Sequence, residues 1–256
     1  MSTSTKISRF WSSHFVTNRL TSDDLPWGDT YQLTSRERRA IQRSIQQFQL
    51  GEGSNGKRLL KRGLAQARAT RDPDFLRALY LFVKEEQRHS SYLLRFMQAQ
   101  KMPTLRHQWV DSVFRVLRGL AGLELSLRVL VTAEIVAVPY YRALRDATSS
   151  PLLKAMSARI LVDEAAHLRF QASMLSRLAL RRWASTDALI ARTHRLFLTG
   201  TSLIVWLGHR SVFLAAAYTL RKLLLEAHTE LRLLACETAR SRLPALGTTT
   251  EASVEP

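Results

Sequence analysis

Two stretches of this chain repeat one arrangement of metal-ligating residue types, and that repetition narrows the folds open to it. Glu52 is followed by Glu86-Gln87-Arg88-His89, and Glu134 is followed by Glu164-Ala165-Ala166-His167. Residues three apart lie on one face of a helix. Glu86 and His89 can therefore reach one ion, and so can Glu164 and His167. The punctuation around them is helical. Asp72-Pro73 and Ser149-Ser150-Pro151 each set a capping residue ahead of a proline, which marks a helix start.

Two antiparallel helices joined by a short turn meet at equal distances from that turn. With turns at Arg71 and Ser149, Glu52 lies 19 residues before the first, and Glu86 and His89 lie 15 and 18 after it. Glu134 lies 15 residues before the second turn, and Glu164 and His167 lie 15 and 18 after it. At about 1.5 Å of rise per residue, the groups of each half fall within roughly one helical turn of the same height. Glu134 also sits in the apolar run Val129 to Val138, where a lone carboxylate is costly. A Glu from each of two helices plus Glu-x-x-His from each of two others is a donor set for two divalent cations.

The remaining sequence predicts helices throughout. Thr34-Ser35-Arg36-Glu37 fits a capping box. A helical pattern follows to about Thr70, crossed by Gly51, Gly53 and Gly56, which suit close packing or a local bulge. Helix two is expected from Pro73 to about Lys101. Helix three is expected from about Gln108 to Ala147, bent or cut short at Pro139. Helix four is expected from Pro151 to about Trp183, and a last helical region from Thr186 to Arg240, broken near Gly200 or Gly208. No strand-like alternation persists. The expected organisation is an irregular arm over 1–33, a four-helix bundle over 34–183, additional helices over 184–243, and a disordered tail over 244–256.

Cys236 is the single cysteine, which excludes an internal disulfide and a four-cysteine metal site. The net charge of +17 can attract nucleic acid, anionic lipid or acidic partners. The arginines are dispersed along every predicted helix, with only short clusters such as Arg36, Arg38, Arg39 and Arg43, so no specific nucleic-acid partner is expected. No secretory signal is visible, and a cytoplasmic protein is expected. The most apolar stretch, Leu196 to Leu220, is interrupted by Gly208-His209-Arg210 and reads as a buried helix or pair. A peripheral membrane contact and a homodimer stay open.

At these residues the chain resembles the ferritin-like di-iron carboxylate superfamily, over roughly Thr34 to Trp183. Glu85-Glu86-Gln87-Arg88-His89 is similar to the acidic-Glu-x-Arg-His motif of di-iron oxygenases and ribonucleotide reductase small subunits, and Asp163-Glu164-Ala165-Ala166-His167 to the same motif with Ala replacing Arg. The resemblance implies an all-α, ferritin-like four-helix bundle with additional C-terminal helices. Its metal ligands would be Glu52, Glu86, His89, Glu134, Glu164 and His167. Glu85 and Asp163 would each orient an imidazole from the opposite half, and Arg88 would balance charge. Two Fe ions are the expected cofactor, with Mn or mixed Mn/Fe as alternatives.

The function these residues point to is a di-iron, O2-activating oxidase or oxygenase. Its partners would be O2, a small organic substrate and an electron donor. Three alternatives stand beside it. One is iron oxidation, storage or peroxide reduction, another is a dimanganese enzyme, and the last is a non-enzymatic basic binding protein. Tyr80, Tyr92, Tyr140 and Tyr141 are near enough in sequence to be redox candidates, although core packing explains each. His209 and the apolar residues Leu203, Ile204, Val205, Trp206 and Phe213 could line a substrate pocket or form ordinary core.

Overall fold

The computed structural model describes residues 3–20, 24–105, 122–178 and 184–241. The expected tail over 244–256 and the expected start of helix three lie outside the described residues. The described chain is all-α: α1 (Thr3–Leu20), α2 (Ser35–Glu52), α3 (Lys57–Thr70), α4 (Pro73–Ala99), α5 (Leu123–Asp146), α6 (Pro151–Leu178), α7 (Ala184–Ala215) and α8 (Leu220–Arg240), with no strand among the described residues.

The predicted helix starts match the caps. Thr34 and Glu37 form a complete capping box at α2. The Asp72 side chain accepts from the Phe75 amide and Pro73 opens α4. Ser150 Oγ accepts from the Leu153 amide at the start of α6. Glu37 also accepts from the Ser149 amide at 2.6 Å, which ties the start of α2 to the turn between α5 and α6.

The pattern from Thr34 to Thr70 resolves into two helices. Gly56 adopts φ +60, and a Cβ there would meet Val83 Cγ2 at 2.8 Å. A glycine is therefore required both for the left-handed turn and for the approach of α4. Gly63 in α3 sits closer still to Leu79, where an added Cβ would overlap Cδ2. The loop ends α2 at Glu52, which puts that carboxylate on the last helical residue.

Pro139 does not end its helix. α5 continues to Asp146, because Ile135, Val138, Tyr140, Tyr141 and Leu144 around the proline are all buried. Their packing outweighs the one hydrogen bond that proline removes. In α7 the backbone leaves helical geometry at His209 (φ -121, ψ 19), beside Gly208. The chain reverses at Ala216–Thr219, where Ala217 takes a positive φ. Among the described residues no single helix is long and apolar enough to cross a membrane, and only α7 with α8, bent by 112° at their junction, passes such a test as a pair.

The N-terminal region departs most from expectation. Residues 24–33 are irregular as expected, but Thr3–Leu20 form α1, which packs on α4 and touches α6. Trp11 and Phe15 are buried, with Ile7 packed beside them. These positions, i, i+4 and i+8, form a stripe on one helical face. Burying two such aromatics stabilises the docked helix by roughly 2–3 kcal/mol each. A buried polar clasp fixes its start: Asp72 accepts from Ser8 Oγ and from Arg177 Nη2, both at 2.7 Å.

α4, α5 and α6 pack around two apolar clusters. One gathers Trp11, Phe15, Phe82, Leu127, Ile135 and Phe170. The other gathers Ile41, Phe96, Tyr140, Tyr141, Ile160 and Phe213. Along α4 and α6 the change from one cluster to the other falls where the acidic and histidine residues lie. The core is thus divided by a buried polar layer.

Candidate metal centre

Four helices deliver six side chains to that layer. Glu52 closes α2, Glu86 and His89 come from α4, Glu134 from α5, and Glu164 and His167 from α6. They fall into two overlapping groups, Glu52, Glu86, His89 and Glu164, and Glu86, Glu134, Glu164 and His167. Within each group one potential ligand atom per residue lies within 4.8 Å of all the others. Glu86 and Glu164 belong to both. His89 Nδ1 lies 3.8 Å from Glu86 Oε1 and 3.7 Å from Glu164 Oε1. His167 Nδ1 lies 3.0 Å from Glu86 Oε1 and 3.7 Å from Glu134 Oε2 and Glu164 Oε2. His89, Glu164 and His167 are fully buried.

The far edge of each imidazole faces an acid of the other half. His89 Nε2 lies 3.1 Å from Asp163 Oδ2, and His167 Nε2 lies 3.0 Å from Glu85 Oε2. A carboxylate only accepts, so each ring donates from Nε2 and a neutral ring keeps its lone pair on Nδ1. Both Nδ1 atoms therefore face the carboxylate cluster. His89 Nδ1, His167 Nδ1, Glu86 Oε1 and both Glu164 carboxylate oxygens are buried without a hydrogen-bond partner. Buried polar atoms are nearly always partnered, and five orphans gathered in these two groups fit bound cations. The buried Glu and His groups could hold a metal ion.

A second ring of polar groups surrounds this cluster, and its two carboxylates are held by several donors each. The Asn18 amide donates to Glu85 Oε1 at 2.5 Å and to Asp163 Oδ1 at 2.9 Å. Arg88 Nη2 contacts Glu85 at 2.5 Å and Asp163 at 3.2 Å. Arg159 Nη2 donates to Asp163 at 2.8 Å and also to Asn18 Oδ1. One asparagine thus bridges the two acids that hold the two imidazoles. Asn18 and Arg159 are absent from the sequence-based site. The signal for Asn18 was the stripe Ile7, Trp11, Phe15, Asn18, which sets it on the buried face of α1. The same face brings Phe15 to His167, with ring centroids 6.1 Å apart.

The electrostatics separate the two rings. Burial raises Glu86 and Glu164 well above the ordinary carboxylate range, and Glu134 pushes both further. Burial also raises Glu52. Burial would raise Glu134 as well, but contacts with Glu164, His167 and Gln171 hold it down at about 2. His167 titrates well above its usual value: burial opposes this, but Glu134, Glu164, Glu85 and Glu86 prevail. Without a cation the cluster can relieve its repulsion only by holding protons. In the outer ring burial is again opposed and overcome. His167 and Arg88 lower Glu85, and His89, Asn18 and Arg159 lower Asp163.

Of the four tyrosines, Tyr141 reaches the cluster, its hydroxyl donating to Glu52 Oε1 at 2.8 Å. Tyr140 is stacked on Phe48 and accepts from Ser44. Tyr92 is buried against Trp27, and Tyr80 is exposed. His209 bonds Ser44 Oγ at 2.7 Å and packs edge-on against Phe48 and Tyr140, which makes it a core residue at the α7 kink. Phe213 is buried and stacks on Trp206, whereas Leu203 and Ile204 are exposed.

Comparison with family models, with curated proteins and with solved structures finds no match to this chain.

Proposed function

We propose that the chain is a ferritin-like di-metal carboxylate protein. Its centre takes two irons, and its activity is O2-dependent oxidation of a small organic substrate. The observation that carries this reading is the pair of buried, inward-facing Nδ1 atoms without a hydrogen-bond partner, set within two carboxylate groups that share Glu86 and Glu164. Glu52 and His89 would complete the ligands of one ion, and Glu134 and His167 those of the other. Glu86 and Glu164, which belong to both groups, would help to hold either ion. Once bound, a di-iron pair supplies reversible redox capacity and a binding position for O2.

The chain's own residues do the rest. Glu85 and Asp163 hold each imidazole in the tautomer that offers Nδ1, as metal-bound histidines generally require. Asn18, Arg88 and Arg159 keep those two acids ionised and fixed. Tyr141 holds Glu52 at the end of α2. Phe15 and Phe82 pack against His167 and exclude water from that side. The net charge of +17 disfavours a surface that collects iron for storage, which supports oxidation of a substrate over storage.

The test is anaerobic loading with Fe(II), elemental analysis, then admission of O2 with a chemical reductant. Iron that stays near two per chain while O2 is consumed over repeated turnovers is the expected outcome. Iron that accumulates far beyond two per chain would replace this reading with storage. Manganese retained in preference to iron would replace it with a dimanganese enzyme.

A further inference from the structure

Among the described residues, one long face of α7 has no protein neighbour. On α7, Leu189, Leu196, Leu203, Ile204 and Leu207 are 40% to 74% exposed. At 3.6 residues per turn they fall in an arc of about 100°, running about 27 Å along the helix. Leu198 and Ser202 on the opposite side are buried, so the stripe faces outward. Scattered exposed leucines are ordinary, but a continuous stripe marks a contact surface.

Its charge decides what it contacts. From residue 188 to residue 225 the sequence contains no Asp or Glu. The same span carries Arg192, Arg195, Arg210, Arg221 and Lys222, all exposed. Arg192 lies beside the stripe, about 60° from its centre, and Arg210 follows directly after the break at His209, one turn beyond Leu207. A second copy of the chain docked on this face would set arginine against arginine with no acid to pair. Anionic lipid offers both an apolar layer for the leucines and phosphates for the cations.

We infer that the outer face of α7 lies flat on an anionic membrane surface, its leucines entering the headgroup layer and Arg192 and Arg210 pairing with lipid phosphates. The contact is peripheral, and it is independent of what the polar cluster binds.

The test is flotation of the full-length protein with vesicles of phosphatidylcholine alone, or with about one quarter phosphatidylglycerol. Wild type should bind the mixed vesicles on the order of tenfold more than the neutral ones, and added salt should weaken that binding. Leu196→Glu with Leu207→Glu, and separately Arg192→Glu with Arg210→Glu, should each lower binding by on the order of tenfold. These side chains are exposed, so helicity should be unchanged. Absence of wild-type binding to mixed vesicles, or full binding by the leucine variant, would overturn the inference. So would a wild-type dimer that the leucine variant converts to monomer without any vesicle binding, which would make the face a seam between copies.

Discussion

Two rings of carboxylates lie within one bundle, and they have opposite fates. The outer pair, Glu85 and Asp163, is surrounded by Asn18, Arg88, Arg159 and two imidazole edges, and both acids are held below their ordinary range. In the inner set Tyr141 and Gln171 hold Glu52 and Glu134, but the shared Glu86 and Glu164 are raised, and their buried oxygens include three without a partner. The two rings share histidines that face both ways. The outer ring carries its own positive charge, whereas the inner ring is a cluster that could hold a metal ion. The difference separates a paired structural network from a candidate binding site.

The largest effect should come from a carboxylate common to both groups. Glu164→Gln should take metal content from about two ions per chain to well below one, because both positions lose a ligand. The same change should raise the stability of the metal-free protein by about 1–3 kcal/mol, since it removes a repelled buried acid while keeping its shape. Thermal melts with and without metal read both effects. A metal-free variant less stable than wild type would break the distinction between the rings.

Next come the acids that hold the imidazoles. Asp163→Asn and Glu85→Gln should each weaken metal binding about 10- to 100-fold, measured by competition with a chelator, by releasing the tautomer control over His89 or His167. Asn18→Leu should have a smaller effect. It leaves two buried acids each short of a donor, costing about 1–3 kcal/mol of stability in denaturant titration, with only a few-fold loss of metal affinity.

The smallest effect sharpens the comparison from outside the centre. Glu37 is satisfied entirely by hydrogen bonds. Partial burial opposes its ionisation, but the amides of Ser149 and Thr34 and the hydroxyls of Thr34 and Tyr31 lower it to about 2. A carboxylate depressed on folding contributes stability that is present above the unfolded value, near 4.5, and lost as the pH falls toward 2. Glu37→Gln should therefore flatten the acid limb of the stability profile between about pH 4.5 and 2, by roughly 1 kcal/mol once solvent screening is allowed for. It should leave metal binding unchanged.

Much of this was legible in the sequence because it rests on local rules. Asp72-Pro73, Ser150-Pro151 and the Thr34 capping box fix where helices begin, and the spacing of Glu86 and Glu164 from those starts fixes their height. All six expected ligand residues converge in the structure, and Glu85 and Asp163 do face the histidines of the opposite halves. What escaped was non-local or disguised. α1 is rich in Ser, Thr and Asn, so its apolar stripe is thin, and nothing in those residues says that they close over α4 and α6. Asn18 lies 67 residues from Glu85 and 145 from Asp163, and no local pattern links them. Pro139 argued for a broken helix, yet burial on every side of α5 outweighed it.

The most direct measurement is a paired anaerobic Fe(II) titration of the wild-type protein and Glu164→Gln, read by elemental analysis after desalting and by thermal melt. Two histidines facing the shared carboxylate cluster should give about two irons per wild-type chain and a rise in melting temperature on iron loading, with neither the iron nor that rise in the variant. Equal iron content in the two proteins, or no stoichiometric metal in the wild type with iron or with manganese, would contradict the assignment of this polar layer as a metal centre.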